Sequence, residues 1–205
     1  MRRIIKGEAP DFWTKFCRKK SKLRYDDLNT NENGKEIRAE LRQHLLAEQQ
    51  YLCCYCCCQI EDSKDCHNEH IWPRNSEIKH NSMDYHNLVA SCNGLNTCGN
   101  KKGDVYDSKL FVSPADEDCE SHFRFKYDGK IEGVTKSGKY TIELLNLNDY
   151  NLVQARKRLY EECCIMSEQL GKEYIQTEYV NSKDGKLHSF VDMIQFFYSE
   201  GKFDL

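Results

Sequence analysis

The sequence has few prolines and glycines and no long apolar run, and each absence excludes a class of protein. Three prolines and 11 glycines are too few for a collagen-like or low-complexity chain. No stretch approaches the roughly 18 consecutive apolar residues that a membrane-spanning helix needs. Hydrophobic residues make up 39% of the 205 positions and aromatic residues 11%, which is enough to build a core. We therefore expect a folded protein without a membrane span.

A secretory signal is also lacking, and this decides how the 12 cysteines are interpreted. Residues 1–8 contain no apolar core and no small-residue cleavage site. We therefore expect a cytoplasmic chain. Disulfides seldom persist in that compartment, so clustered cysteines there are typical of metal sites or reactive thiols.

The cysteines fall into two main groups whose spacing is typical of a zinc site. Residues 53–58 contain five cysteines and offer a C-x-x-C pair in two overlapping registers, and a second pair follows with five residues between its members. A structural zinc ion takes four thiolates in a tetrahedron. The ligands that we favour are Cys53, Cys56, Cys92 and Cys98. The alternative register of the first pair uses Cys54 and Cys57.

Charge is distributed unevenly along the chain. Residues 1–24 hold nine lysines and arginines against two acids, whereas the whole chain has a formal net charge of −3. A basic segment on an acidic body is suited to a polyanion or to an acidic partner surface, and it is equally typical of a solvated helix face.

Hydrophobic periodicity predicts a chain that is largely helical, with a few short strands. The expected long helices occupy residues 10–20, 35–52, 149–171 and 187–199. A short strand is expected within residues 59–72, ended by Pro73. Asp84 is a candidate cap for a helix running from Leu88 toward Cys92. Alternating residues over 123–131 predict a hairpin that turns at an Asp-Gly pair.

Polar residues between and after the cysteine pairs supply what phosphodiester hydrolysis requires. Glu69 and His70 are adjacent, Asn87 follows between the pairs, and Asn100 lies two positions after the second pair. Such a reaction needs a base for water, a hard cation beside the phosphate, and a group that fixes the base. A neutral imidazole can accept a proton at neutral pH, and carboxylate and amide oxygens suit Mg²⁺. The segment therefore indicates a candidate nuclease site.

The order C-x-x-C, Glu-His, Asn, C-x5-C, Asn-Lys-Lys resembles the HNH endonucleases with a ββα-metal core. More narrowly, the chain resembles the PtuB family of nucleases, which are encoded beside an ATPase in Septu phage-defence systems and in related retron loci. The resemblance is strong over residues 50–103. The residues that carry it are Met1–Ile4, Cys53–Cys56, Glu69–Pro73, Asp84–Val89 and Ser91–Lys102.

This resemblance implies an α+β fold, in which a zinc-stapled ββα-metal (HNH) core is embedded in a largely helical chain. It divides the chain into an N-terminal basic and helical segment (1–50), the HNH core with its four-thiolate zinc site (51–110), and a hairpin plus helical C-terminal region (111–205).

The resemblance also implies roles for individual residues. His70 matches the general base, and Glu69 matches a ligand of Mg²⁺ or another divalent cation. Asn87 matches the residue that braces the loop bearing the base. The third position of the motif is Gly99 here, so the nearest candidate for a second metal ligand is Asn100. Candidate contacts to nucleic-acid phosphates are Arg74, Lys101 and Lys102. We expect three other histidines to be surface or packing residues, namely His67, His80 and His86.

The activity implied is metal-dependent cleavage of DNA or transfer RNA by a toxic effector of phage defence. The implied partner is an ABC-type, PtuA-like ATPase, and in retron loci also a reverse transcriptase with its RNA–DNA product. We expect the basic N-terminal helix or the aromatic C-terminal helix to dock on the ATPase.

Two other functions compete with the nuclease hypothesis. The first is a non-catalytic zinc-binding adaptor module within such a complex, and the second is a thiol redox sensor that uses the Cys53–Cys58 cluster. A related alternative makes His70 a zinc ligand together with Cys66 and His67.

Overall fold

Helices and two small antiparallel sheets make up the part of the chain that is described, residues 1–20, 23–74 and 82–203 of a computed structural model. The helices are α1 (Asp11–Lys19), α2 (Gly34–Glu48), α3 (Cys98–Lys102), α4 (Lys136–Leu145), α5 (Tyr150–Leu170), α6 (Lys172–Ile175) and α7 (Val191–Ser199). The strands are β1 (Cys66–His70), β2 (Leu88–Cys92), β3 (Phe123–Phe125) and β4 (Ile131–Gly133). A π-helical turn, Gln176–Val180, follows α6.

The first sheet pairs β1 with β2 and lies on α2. Its register places Cys66 opposite Cys92 and His70 opposite Leu88. The strand β2 is buried along most of its length, and α2 turns Leu41, Leu45 and Leu46 inward at helical spacing. The short helix α3 follows β2, so two antiparallel strands and a helix succeed one another here.

The second sheet is the hairpin of β3 and β4, closed by residues 126–130. Lys126 donates its backbone N–H to the carbonyl of Lys130, and Gly129 donates to the carbonyl of Lys126. Gly129 has φ of +85°, which glycine adopts without strain. The hairpin predicted at Asp128-Gly129 is confirmed.

The main hydrophobic core joins all three predicted segments of the chain. It includes Trp13, Leu41, Tyr55, Phe111 and Leu145, all but one of which are almost fully buried. A second cluster lies between α5, α6 and α7. The mixed helical and small-sheet architecture agrees with the expected α+β class. None of the described helices has the length and apolarity that crossing a membrane requires.

One predicted element is wrong. The segment from Leu88 to Cys92 is the strand β2 and not a helix. Asp84 does cap a helical turn, because its carboxylate accepts from the backbone N–H of His86, but that turn ends at Asn87. Leu88-Val89-Ala90 is a short apolar run, and such a run fits a buried strand as well as a helix. The pairing partner β1 decides between them.

Candidate functional site

Four cysteine thiols from three parts of the chain converge beside the first sheet. Their sulfur atoms all lie within 4.8 Å of one another. Cys53 and Cys56 come from the turn after α2, Cys92 ends β2, and Cys98 begins α3. Cys92 donates its backbone N–H to the Cys53 sulfur at 3.3 Å. The cluster therefore joins the turn that contains Cys53 and Cys56, the first sheet, and the helix α3.

The donor set of this cluster fits a zinc ion. The Cys56 and Cys92 sulfurs are 3.9 Å apart, and the edge of a tetrahedron with Zn–S bonds of about 2.3 Å is roughly 3.8 Å. Burial opposes ionisation of Cys53, but hydrogen bonds from the neighbouring thiols hold the pKa of Cys53 well below its usual value. The four thiols that we favoured from the sequence are thus a group that could hold a metal ion.

The alternative cysteines lie outside this cluster. Cys57 has a left-handed φ of 59°, and an ion-pairing carboxylate, Asp192, faces its thiol. The thiol of Cys66 donates to the carbonyl of Ser63. Within the described ranges, the candidate group of metal-ligating side chains contains neither His67 nor His70. This favours the four-thiolate interpretation over the Cys66–His67–His70 site.

Strand β1 places its polar side chains alternately on two faces, as a strand must. His67 and Glu69 face the start of α3, where their side-chain atoms approach Gly99. Asn68 and His70 face Tyr25 instead: Asn68 donates to its hydroxyl at 2.7 Å, and the His70 ring packs edge-on against it. All four residues line one cavity of about 240 Å³.

Glu69 is a buried carboxylate held by two donors on one of its oxygens. Its Oε1 accepts from the ammonium of Lys102 at 2.8 Å and from the hydroxyl of Tyr55 at 3.2 Å. Its Oε2 lies 3.5 Å from Nε2 of His67. Burial would raise the pKa of Glu69, but His67 and Lys102 hold it below its usual value. The group is therefore a carboxylate at neutral pH, and its Oε2 lies beside Gly99, another residue that lines the cavity.

His70 is buried, and its tautomer is fixed by one hydrogen bond. Its Nε2 lies 2.9 Å from the carbonyl of Ser82. A carbonyl only accepts, so Nε2 carries the proton and Nδ1 holds the lone pair. Burial is the main cause that lowers the pKa of His70 to about 4. The imidazole is therefore neutral at pH 7 and can accept a proton at Nδ1.

Asn87 ties the end of β1 to the start of β2. Its amide oxygen accepts from the backbone N–H of Trp72 at 2.8 Å, and its amide nitrogen donates to the Trp72 carbonyl at 3.0 Å. The Asn87 carbonyl also accepts from the N–H of Ile71. These bonds fix the backbone that follows His70, which is the geometry that a bracing residue needs.

The three candidate phosphate contacts and the candidate metal ligand Asn100 differ in their burial and in their partners. Lys102 is 1% exposed and pairs with Glu69, so we correct the expectation that it contacts phosphate: its ammonium neutralises a buried carboxylate. Lys101 is exposed. Arg74 lines the cavity and forms an ion pair with Asp26. Asn100 is exposed and donates its amide to the carbonyl of Gly94.

His67 was expected to be a surface or packing residue, but the structure places it in the cavity beside Glu69. Its Nδ1 lies 3.0 Å from Oδ1 of Asn93. Burial acts to lower the pKa of His67, but Glu69 and Asn93 raise it above its usual value. Period-two alternation along β1 could have found this residue, because it puts positions 67 and 69 on one face. His86 is exposed, and His80 lies outside the described residues.

Comparison with known proteins gives three relatives and no matching family model. The chain is 27% identical over 150 residues to the Septu protein PtuB of Bacillus thuringiensis, covering 71% of this chain and 55% of that protein. It is 32% identical over 139 residues to the "Retron Vc95 putative HNH endonuclease" of Vibrio cholerae, covering 61% and 65%. It is 25% identical over 163 residues to the similarly named protein of retron Ec83 of Escherichia coli, covering 77% and 59%.

These matches confirm the resemblance that the motifs predicted, to HNH endonucleases of the PtuB and retron-associated type. Two of the three relatives carry the HNH endonuclease name, which relates the chain at a coarse level to nucleases of defence systems. The chain spans less than two thirds of the length of each of these relatives.

Proposed function

We propose that this chain is a metal-dependent HNH endonuclease that hydrolyses phosphodiester bonds of nucleic acid as the effector of a phage-defence system. One observation carries the proposal. A neutral His70 and an ionised Glu69 line the same cavity, and the thiol cluster lies outside that cavity's lining. A binding module needs no acid–histidine pair lining a cavity, whereas a hydrolase does.

Two metal sites with different chemistry follow from this separation. The thiol cluster would hold zinc with all four positions filled, so its role is structural. Glu69 would hold Mg²⁺ or another divalent cation, which when bound offsets negative charge on the phosphate and the leaving oxygen. Lys102 and Tyr55 both contact Oε1, so Oε2 and the cavity beside it fit a hard cation, since such an ion keeps several positions for water and phosphate.

His70 is the general base in this proposal. Its Nδ1 takes a proton from a water molecule, whose oxygen forms the new bond to phosphorus while the bond to the leaving oxygen breaks. The hydrogen bond from Nε2 to Ser82 keeps the required tautomer. An incoming phosphate adds negative charge beside the ring, and this raises the low pKa of His70 at the moment when a base is needed.

The remaining residues orient the chain and the substrate. Asn87 fixes the backbone at Trp72, next to the base. Arg74 at the cavity and the exposed Lys101 are the proposed phosphate contacts. Contacts of this kind position the backbone of a nucleic acid and carry no base specificity. DNA and transfer RNA are therefore both retained as proposed substrates.

A partner ATPase of the PtuA type is part of the proposal, and the similarity to a Septu PtuB protein supports it. Of the two predicted docking helices, α1 fits better. It keeps Lys15, Arg18 and Lys19 exposed, whereas α7 turns Met193 and Phe197 into the second core cluster. In a retron setting, a reverse transcriptase and its RNA–DNA product would join the complex. Replacing the exposed Lys15, Arg18 and Lys19 by glutamate leaves the buried Trp13 in place. This change should abolish co-purification with the ATPase, and a complex that survives would defeat this part of the proposal.

Replacement of His70 by alanine tests the proposed function. Wild type and His70→Ala are purified together with the neighbouring gene products, and zinc content and cleavage of labelled DNA and transfer RNA are measured. We expect cleavage to fall about 10²–10⁴-fold, the usual contribution of a general base, with zinc retained. Full cleavage by the variant would remove His70 as the base, and lost zinc would make it a ligand. His86→Ala is the matched control at an exposed position.

A further inference from the structure

Gly99 stands where the HNH motif has a metal-ligating side chain, and the space that such a side chain would enter is already taken. A Cβ atom built on Gly99 would lie 2.6 Å from Nε2 of His67 and 2.8 Å from Oε2 of Glu69. Both approaches are shorter than real Cβ contacts. An imidazole nitrogen and a carboxylate oxygen therefore converge on the point from which a side chain at position 99 would start.

The His67 ring is oriented for metal binding by a second hydrogen bond. Asn93 donates its amide nitrogen to the carbonyl of Lys64 at 3.0 Å, so its amide oxygen is the atom that faces Nδ1 of His67. An amide oxygen only accepts, so Nδ1 carries a proton, and in the neutral ring the lone pair is then on Nε2. Metal-ligating histidines are usually held in this way, with the other ring nitrogen donating to an oxygen.

The two converging atoms are correctly spaced for one cation. Nε2 of His67 and Oε2 of Glu69 are 3.5 Å apart, and two ligands at about 2.1 Å from one ion, at or somewhat above a right angle, are roughly 3.0–3.5 Å apart. Oε1 of Glu69 is engaged by Lys102 and Tyr55, so Oε2 is the oxygen left for the ion. The exposed Asn100 is bonded to the Gly94 carbonyl.

We propose that His67 supplies the second protein ligand of the divalent cation, in place of the residue that position 99 lacks, and that Gly99 is the small residue which leaves room for it. This inference rests on the proposed function and names the ligand set of the same site. An imidazole beside a single carboxylate moves the preference of the site from Mg²⁺ toward Mn²⁺ and other transition-metal cations. In this arrangement the second ligand comes from the strand β1 and not from the helix α3.

Binding of Mn²⁺ to the zinc-loaded full chain, measured by electron paramagnetic resonance or calorimetry, tests this inference without relying on activity. His67→Ala should weaken Mn²⁺ binding at least tenfold and leave zinc content unchanged. His70→Ala and the exposed His86→Ala should retain wild-type affinity. Gly99→Ala should weaken binding as well, because its Cβ enters the space between the two ligands.

The double variant His67→Ala/Gly99→His sharpens the test, because it returns the imidazole to the helix. We expect it to recover part of the Mn²⁺ affinity that His67→Ala loses, because the His67 ring no longer occupies the space and only the Glu69 carboxylate must shift to admit the new Cβ. Unchanged Mn²⁺ affinity in His67→Ala would overturn the inference. If His70→Ala had meanwhile lost cleavage, the proposed function would stand and only the ligand assignment would fail. A wild-type chain that neither binds Mn²⁺ nor cuts nucleic acid would overturn both. A thermal melt of each variant confirms that it is folded.

Discussion

The two small sheets are built alike and are stabilised by different means. Each has two antiparallel strands, and two strands alone are marginal in water. The β3–β4 hairpin closes through a tight turn at Gly129, and its Phe123 and Ile131 are buried in the core. The β1–β2 sheet joins its strands through a long connection, residues 71–87, and its first strand carries mostly polar side chains.

The difference lies in how much apolar surface each sheet can bury. Strand β1 has few apolar side chains to bury, since His67, Asn68, Glu69 and His70 occupy it. A local turn does not close the sheet either. The thiol cluster is placed to compensate for this missing apolar burial. Its four sulfur atoms bring together the end of β2, the turn after α2, and α3. A structural metal there would supply the stability that the hairpin obtains from its turn and its apolar contacts.

Removing a thiol should have the largest effect and should be specific to the first sheet. Cys92→Ser is expected to lose zinc and to unfold the β1–β2 region, since structural zinc binding supplies on the order of 10 kcal/mol to small zinc domains. Zinc content and amide hydrogen exchange would measure this. The matched control is Cys54→Ser, which changes a buried cysteine in the same turn. This variant should keep its zinc. Loss of zinc from both variants would restore the alternative register, because Cys92 is a ligand in either register whereas Cys54 is a ligand only in the alternative one.

Removing the buried cation beside the site should have the next largest effect. Lys102→Met leaves the Glu69 carboxylate buried without its ammonium partner, which typically costs about 3–5 kcal/mol. Denaturant unfolding would measure the loss, and the exposed neighbour gives the control, Lys101→Met, with little change. The double variant Glu69→Gln/Lys102→Met should recover part of the stability. Equal stability of the two single lysine variants would contradict the buried ion pair.

Acid should lower the stability of the fold, because protonation of His70 is unfavourable in the folded chain. The pKa of this imidazole is about 4 in the folded chain against an ordinary value of 6.5, so the unfolded chain takes up the proton first. Stability is therefore complete above pH 6.5 and falls as the pH drops toward 4, by about 3 kcal/mol in all. His70→Asn should flatten this part of the pH profile, whereas His86→Asn should leave it unchanged. Parallel profiles for wild type and His70→Asn would contradict the burial of the ring.

A substitution in the other sheet should have the smallest effect and should spare the site. Gly129→Ala puts a Cβ 2.2 Å from the carbonyl of Val153 at a φ of +85°, which should cost about 2 kcal/mol. Gly185→Ala, at a φ of +77° with open space around it, should cost about 1 kcal/mol. Thermal unfolding measures both. Neither change should alter zinc content, and a loss of zinc from Gly129→Ala would show that the sheets are not independent.

Much of the fold and part of the candidate site could be predicted from the sequence, because their signals are local. Helical spacing predicts α2 and α5, and Asp-Gly predicts the hairpin turn. The C-x-x-C spacing limits the first thiol pair to two registers, and the structure brings the favoured one together with Cys92 and Cys98. The strand β2 could not be assigned in this way. Its short apolar run forms a strand because it pairs with β1, which lies far away along the chain.

The missed features of the site depend on distances across the fold. Lys102 follows Asn100 and Lys101 in a run that is typical of a solvated basic surface, and only the packing of α3 against β1 turns its ammonium to Glu69. His67 has no motif of its own. The structure shows that the ring of His67 lies against Gly99, which is remote from it in sequence, and this contact identifies His67 as a candidate ligand. When a side chain on one strand takes the role of a side chain on a helix, distances in the folded structure show it, whereas residue spacing in the sequence does not.

The separation of a structural thiol site from a catalytic cavity is tested most directly by a divalent-cation titration. The chain is purified with its neighbouring gene products, freed of loosely bound cations while its zinc is retained, and titrated with Mg²⁺ or Mn²⁺ in the presence of labelled DNA and transfer RNA. We expect cleavage of one of these substrates to rise from baseline to saturation while zinc stays at one ion per chain. Full cleavage with zinc alone, or no cleavage of either substrate at saturating cation, would contradict the account.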